Sequence, residues 1–121
     1  MTRCSNHLII FLILIIGLIL IGSCDENDVS LEACGVSDPL RNLPWLNEIV
    51  ANAETDNTGN YLGKIWLLEY ESQEIFITNM ALGSGGIKYW TFDCNGEIIT
   101  PEDFTFNENA SDSSIIFENT P

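Results

Sequence analysis

Histidine is almost absent from this sequence. The one histidine, His7, lies just before a long apolar run near the N-terminus, inside a segment that we assign below to a secretion signal. The rest of the chain therefore has no imidazole for a Ser-His-Asp triad, a Cys-His pair or a zinc site of the usual type. Most small hydrolase mechanisms are excluded, and we expect no enzyme activity and no cofactor.

Positive charge is nearly as scarce. Only four residues are lysine or arginine, against 18 that are aspartate or glutamate. All the acidic residues lie from Asp25 onward, where Arg41, Lys64 and Lys88 are the only basic ones, so this part has a formal charge of −15. Such a surface repels phosphate backbones, which argues against a nucleic-acid partner. It also favours a body that stands away from an anionic membrane surface and meets neutral or cationic partners.

The N-terminus has the layout of a secretory signal peptide. Arg3 precedes an apolar run from Leu8 to Ile21, and the small residues Gly22 and Ser23 follow before Cys24. The segment from Ile21 to Cys24 resembles a lipobox, where the cysteine thiol receives diacylglycerol and the chain is cut before it. The alternative is an uncleaved anchor, but about 14 apolar residues are fewer than the roughly 20 that span a bilayer. We predict that residues 1–23 are removed and that Cys24 carries the lipid, with palmitate among its acyl chains.

The cysteine count agrees with this prediction. Cleavage removes Cys4 and leaves Cys24, Cys34 and Cys94, which is an odd number for an exported protein. If Cys24 becomes a thioether, the other two can form a disulfide in an oxidising compartment. The chain-entropy estimate for closing that loop is about 4 kcal/mol. Two buried free thiols are the alternative.

Residues 24–33 are predicted to be an acidic tether, because Asp25-Glu26-Asn27-Asp28 is charged and the following residues show no apolar periodicity. Acidic residues directly after a lipidated cysteine look like the export signals that send Bacteroidota lipoproteins to the outer face of the outer membrane. A solvated spacer is the other interpretation. In both cases we expect a cell-envelope protein that is anchored to the outer membrane.

Residues 34–121 are predicted to form one small α+β domain. Pro44 suits a first helical turn, and Leu46, Ile49, Val50 and Ala53 recur at helical spacing. We interpret Trp45 as a packing anchor. The turn residues 55–60 should end this helix, and a shorter turn should begin at Asp38-Pro39.

After residue 61 the pattern becomes strand-like. We expect strands at 63–71, 74–80, 87–93 and 97–100, with turns at Ser72-Gln73 and Asn95-Gly96. Thr100-Pro101-Glu102-Asp103 indicates a helix start, and 114–118 could form a final edge strand. The predicted fold is an N-terminal helix packed on one face of a four- to five-stranded antiparallel β-meander.

Several ordered motifs together resemble an uncharacterised domain family of small Bacteroidota lipoproteins. The likeness covers most of Cys34 to Asn119. It implies a compartment and a fold, and it implies no activity and no catalytic residue. The motifs are Cys34-Gly35-Val36, Asp38-Pro39, Leu43-Pro44-Trp45-Leu46, Thr58-Gly59-Asn60-Tyr61, Asn79-Met80-Ala81-Leu82-Gly83-Ser84-Gly85-Gly86 and Phe92-Asp93-Cys94-Asn95-Gly96.

Three other chemistries have little support in the sequence. The loop 82–86 lacks the spacing of a phosphate loop or a nucleophile elbow, and a Ser84–Lys88 dyad has little to support it. The segment 56–60 resembles a calcium loop only superficially, because no glutamate closes it. The last candidates are the paired acids Glu69 with Glu71 and Glu102 with Asp103, which the sequence places in no visible cleft.

A tethered binding or interaction module, with a possible protein partner in the envelope, is therefore the first functional hypothesis. A structural envelope lipoprotein is the second, and a calcium-binding module or an enzyme without histidine follows. Strand alternation places Trp66 and Tyr70 on one sheet face and Ile65 on the other, so both faces are partly apolar. The helix can cover only one. Either the tail 104–117 covers the second face, or exposed aromatics there form a contact surface.

Overall fold

The computed structural model describes residues 30–83 and 88–121, which form a mixed α/β structure. The predicted signal peptide, the lipid-attachment residue Cys24 and Ser84 of the candidate dyad lie outside these residues. In chain order the elements are β1 Glu32–Ala33, β2 Val36–Ser37, α1 Pro39–Asn42, α2 Pro44–Glu54, β3 Gly63–Tyr70, β4 Gln73–Thr78, β5 Trp90–Phe92, α3 Phe106–Asn109, a 3-10 turn Asp112–Ser114 and β6 Ile115–Asn119.

The folded region begins before Cys34. Strand β1 pairs with β2 in a small antiparallel sheet, and Ala33 is 2% exposed within the core. The backbone N–H of Asp38 donates to the carbonyl oxygen of Leu31. The C-terminal end of the predicted tether, residues 24–33, therefore overlaps the fold. Leu31 accepts a backbone hydrogen bond, and Glu32 and Ala33 pair with residues of β2.

The main sheet has four antiparallel strands in the order β5-β4-β3-β6. Strands β3 and β4 form a hairpin in which Tyr70 pairs with Gln73, so the turn residues are Glu71 and Ser72. Both have positive φ, 51° and 63°, as a two-residue type I′ turn requires. The turn lies one residue earlier than the sequence predicted.

The sheet departs from a simple meander at both edges. Strand β6 returns to pair with β3, and the segment 97–100 makes a single bridge, from Ile98 to Phe92, rather than a strand. The N–H of Ile99 donates to Thr91, but the ladder cannot continue because Pro101 has no N–H to donate. The predicted fourth meander strand was therefore wrong, whereas the edge strand near the C-terminus is observed.

Helix α2 covers one face of this sheet. It begins at Pro44, where proline is tolerated, and it buries Leu46, Val50 and Ala53 at helical spacing. These side chains belong to one hydrophobic cluster with residues from three strands of this sheet and the loop after β4, and Ala33 of β1 joins the same cluster. The strand and loop members are Ile65, Phe76, Met80 and Phe92.

The tail covers the opposite face. The buried residues there are Trp66 and Leu68 from β3 and Ile75 and Ile77 from β4. Of the two alternatives that the sequence left open, tail coverage is the one observed. The covering side chains include Ile99, Phe104, Phe106, Ala110 and Ile115.

The helix expected at Pro101 is not formed. The first helical residue of the tail is Phe106, and Asp103 has a positive φ of 56°, which is incompatible with a helix running through it. The single helical turn of α3 instead places the side chain of Phe106 against the sheet. Between residues 30 and 83 and from 88 to 121, no helix is long and apolar enough to cross a membrane.

Candidate binding groove

Cys34 and Cys94 form a disulfide with a Cα–Cα distance of 5.6 Å. It joins the turn between β1 and β2 to the turn that follows β5, across 60 residues of chain. The carboxylate of Glu74 on β4 accepts a hydrogen bond from the backbone N–H of Cys34 at 2.5 Å. The predicted pairing is therefore present, and Glu74 is a partner that the sequence analysis did not identify.

The same three residues are the one group of metal-type ligands brought together within the described ranges. The two sulfur atoms are bonded to each other, so neither is a free thiolate. The Glu74 carboxylate already accepts the hydrogen bond from the Cys34 N–H. A carboxylate alone is a poor transition-metal site. This cluster is best understood as a covalent cross-link with one supporting hydrogen bond.

The candidate calcium loop uses its carboxylate internally. One oxygen of Asp56 accepts from the hydroxyl of Thr58 at 2.6 Å and from its N–H at 2.9 Å. The other accepts from the N–H of Tyr61 at 2.9 Å. These bonds, that of the Thr58 hydroxyl first, lower the pKa of Asp56 below its usual range. Asp56 thus stabilises the turn after α2.

The candidate acid pairs do not assemble into a catalytic cleft of the glycosidase kind. Glu69 lies opposite Glu74 in the β3–β4 ladder, and Glu71 is a turn residue. The carbonyl of Glu102 accepts a hydrogen bond from the Tyr70 hydroxyl at 2.9 Å. Burial, and then the charges of Glu71 and Asp103, raise the pKa of Tyr70. None of the four candidate acids lines the groove described next.

A groove of about 230 Å³ opens between β5 and the segment 98–101, where that segment departs from the ladder. One wall is residues 88–91, and the other is residues 98–101 together with Phe104. We call it the β5 groove. A larger depression of about 560 Å³ lies along α1 and α2, but its one cation, Arg41, is paired with Asp38 at 3.4 Å.

Two exposed apolar side chains belong to the β5 groove. Tyr89 is 48% exposed and stacks on Phe106, with 4.2 Å between ring centroids and an interplanar angle of 26°. Phe106 in turn meets Trp66 edge-on at 4.9 Å. Ile98, on the other wall, is 62% exposed. Tyr89 therefore rests on the core through one ring face while much of its surface remains accessible.

The charge of the groove differs from that of the surrounding surface. Among the described residues Lys64 pairs with Glu118 at 3.6 Å and Arg41 pairs with Asp38, whereas Lys88 has no carboxylate partner. Its Nζ lies 4.7 Å from the centroid of the Trp90 ring. A cation–π contact holds the ammonium in place without neutralising it. The groove thus combines an unneutralised cation with apolar walls.

Only one wall of the β5 groove could be predicted from the sequence. Side chains alternate across a strand, so the expected strand 87–93 has Tyr89 and Trp90 on opposite faces of the sheet, and in the structure Trp90 packs with the helix-side cluster while Tyr89 stacks on Phe106 of the tail. The second wall is not predicted by the sequence, because the pattern indicates a strand at 97–100 and a helix start at Thr100-Pro101-Glu102-Asp103. Its departure from the ladder is what opens the groove.

Comparison of the chain with protein-family models, with curated proteins and with solved structures found no match. The resemblance to a family of small lipoproteins therefore stays a prediction from the motifs themselves. The class that the fold defines is a disulfide-linked, mixed α/β domain with antiparallel sheets of two and four strands.

Proposed function

We propose that this protein is a lipid-anchored binding module of the cell envelope, held to the outer membrane through Cys24 and without catalytic activity. The observation that carries the proposal is the Cys34–Cys94 disulfide. Disulfides persist in oxidising compartments outside the cytosol. With these two cysteines paired, Cys24 is the one thiol left after a signal of 23 residues is removed, as lipidation would require.

The binding role is supported by the exposed apolar surface. Two of the three large hydrophobic side chains that are exposed in the described residues, Tyr89 and Ile98, lie on the β5 groove. The third, Leu62, lies apart from it. Exposed aromatic and aliphatic groups around a concave site are typical of binding surfaces. A purely structural envelope lipoprotein is the second candidate, and it would need no such groove.

Anchoring is tested by expressing the full chain in a bacterium that processes lipoproteins. We expect the wild-type protein to incorporate labelled palmitate and to enter the detergent phase in a phase-partition assay. Cys24→Ser should lose both properties, whereas the matched variant Cys4→Ser should keep them because Cys4 is removed with the signal. Labelling that does not depend on Cys24 would contradict the proposal.

The binding role is tested by capture from envelope extracts with two matched variants. Ile98→Ser and Leu62→Ser each remove an exposed aliphatic side chain, 62% and 42% exposed, so both should keep stability within about 1 kcal/mol of wild type. Only Ile98→Ser, on the groove, should lose a stoichiometric partner. Equal capture by both variants would place binding elsewhere, and no capture by the wild-type protein would favour the structural role.

A further inference from the structure

We propose that the β5 groove binds a small monocarboxylate with an apolar body, whose carboxylate pairs with the Lys88 ammonium while its apolar part lies against Tyr89 and Ile98. This inference rests on the proposed function, because it names the chemical class of ligand that the binding module takes. Three properties of the groove support it, namely its charge, its apolar walls and its size.

Cations are scarce in this protein, and most of them are already paired. The protein has 18 acidic residues, and two of its three described cations are neutralised, Arg41 by Asp38 and Lys64 by Glu118. Lys88 alone has no carboxylate partner among the described residues. The four residues that precede it in the chain, 84–87, are Ser-Gly-Gly-Ile and carry no charge. An ammonium in this setting is complementary to an anion from outside.

A single ammonium also limits the charge of the ligand. Acidic residues flank the wall segment 98–101 on both sides in the chain, Glu97 before it and Glu102 and Asp103 after it. A dianion such as a phosphate monoester would find one neutralising partner and would be repelled by the surrounding acidic surface. A monocarboxylate needs only Lys88, and it can form a charge-assisted hydrogen bond with the ammonium.

The walls indicate what the rest of the ligand is. Tyr89 is fixed from behind by Phe106 at 4.2 Å, so its accessible ring surface is a rigid platform. Ile98 and Phe104 provide apolar surface across the groove. Covering these groups removes apolar area from water at roughly 25 cal/mol per Å². An aliphatic or aromatic body next to the carboxylate fits this arrangement.

The volume sets the size of the ligand. The groove has about 230 Å³, which is below the roughly 300–1,000 Å³ of pockets that enclose drug-sized molecules. A ligand the size of one amino-acid residue fits, and an open site of this size binds such a ligand weakly, in about the millimolar range. N-acetyl-leucine has the required carboxylate, apolar side chain and size, and it serves as the probe.

The test compares N-acetyl-leucine with N-acetyl-leucinamide, which differs from it by the loss of the negative charge. The disulfide-bonded mature protein is titrated with each, and the backbone amide resonances of Tyr89 and Thr91 are followed by NMR. We expect saturable shifts with the acid and about two- to fivefold weaker binding of the amide, the range of an exposed ion pair. Equal binding of the two probes, or the absence of saturable shifts with the acid, would overturn the proposal.

Two matched lysine variants test whether the ligand carboxylate pairs with Lys88 in particular. Lys88→Gln should weaken binding of the acid about two- to fivefold, the range of an exposed ion pair, and it should lower the urea midpoint only slightly, because the exposed side chain loses no more than its contact with Trp90. Lys64→Gln removes a lysine that is already paired with Glu118, and it should leave binding unchanged. Equal losses in both variants would show a general effect of charge and would contradict a role for Lys88. Failure of the acid to bind while Ile98→Ser still abolishes partner capture would refute this ligand class and leave the binding module standing.

Discussion

The indole N–H of Trp45 donates to the carbonyl oxygen of Cys94 across 3.1 Å. This bond connects the first turn of α2 to the disulfide-bonded turn after β5. The same ring packs against Phe76 and Phe92, each with 5.3 Å between ring centroids. Trp45 is therefore part of the core, as its interpretation as a packing anchor predicted.

Gly96→Ala should destabilise the protein because of its contact with Trp45. A Cβ at this position would lie 2.5 Å from the Trp45 ring, and the φ of Gly96 is +78°. We expect a loss of about 2–4 kcal/mol from the clash and the backbone strain together. The measurement is urea denaturation.

Gly35→Ala is the matched control for Gly96→Ala. Gly35 has a similar φ of +75°, but a Cβ there would meet no atom within 4 Å. It should lose only the strain contribution, about 1–2 kcal/mol. Equal losses at the two positions would contradict the close contact between Gly96 and Trp45.

The paired variant Cys34→Ala/Cys94→Ala should lose about 4 kcal/mol of stability, because the unfolded chain regains the freedom that a 60-residue cross-link removes. Reduction of the wild-type protein should give the same loss, measured by urea denaturation with and without a reductant. A loss below about 1 kcal/mol would contradict this prediction, because it would show that the disulfide hardly restricts the unfolded chain.

Asn119→Ala should loosen the attachment of β6 to the helix. The side-chain amide of Asn119 donates to the carbonyl of Ala53 at 3.0 Å and to that of Tyr61 at 2.9 Å. Its removal leaves both partly buried carbonyls without this donor, at a cost of about 1–3 kcal/mol. Asn119→Asp, which cannot donate, should lose at least as much. The control Glu118→Gln breaks a solvent-exposed ion pair and should change stability by less than about 1 kcal/mol.

Asp56→Ala should destabilise the protein in a pH-dependent way. Because the folded state lowers the pKa of Asp56, its carboxylate contributes stability above the unfolded-state pKa of about 4, and this contribution is lost as the pH falls through the folded pKa. The difference in urea midpoint from wild type should therefore be largest near pH 7 and shrink below pH 4. A constant difference for Asp56→Ala would contradict the hydrogen-bonded loop.

Local signals in the sequence were enough for much of the fold. Helical spacing from Pro44 and the apolar runs around Trp66 and Ile75 predicted α2, β3 and β4 nearly as observed. The order of the strands was not predictable in this way, because the pairing of β6 with β3 is a contact between residues more than 45 apart in the chain. Such a contact depends on which surfaces remain free after the hairpin forms.

The candidate site was less predictable than the fold. The disulfide followed from counting cysteines, but the groove depends on how far the ladder beyond Phe92 continues. Pro101 cannot donate to the β-ladder, so the sequence does indicate that strand pairing stops there, but the surrounding Thr100-Pro101-Glu102-Asp103 also matches a helix start. Whether Lys88 has a carboxylate partner among the described residues depends on the positions of their acidic side chains, which a sequence pattern does not contain.

The most direct test of the account is the intact mass of the protein recovered from bacterial membranes, measured before and after alkylation of free thiols under non-reducing conditions. The account predicts a chain that begins at Cys24, carries diacylglycerol and an acyl chain, and shows no alkylation because Cys34 and Cys94 are bonded to each other. A chain that retains residues 1–23, or one that takes up alkylating agent at both Cys34 and Cys94, would contradict it.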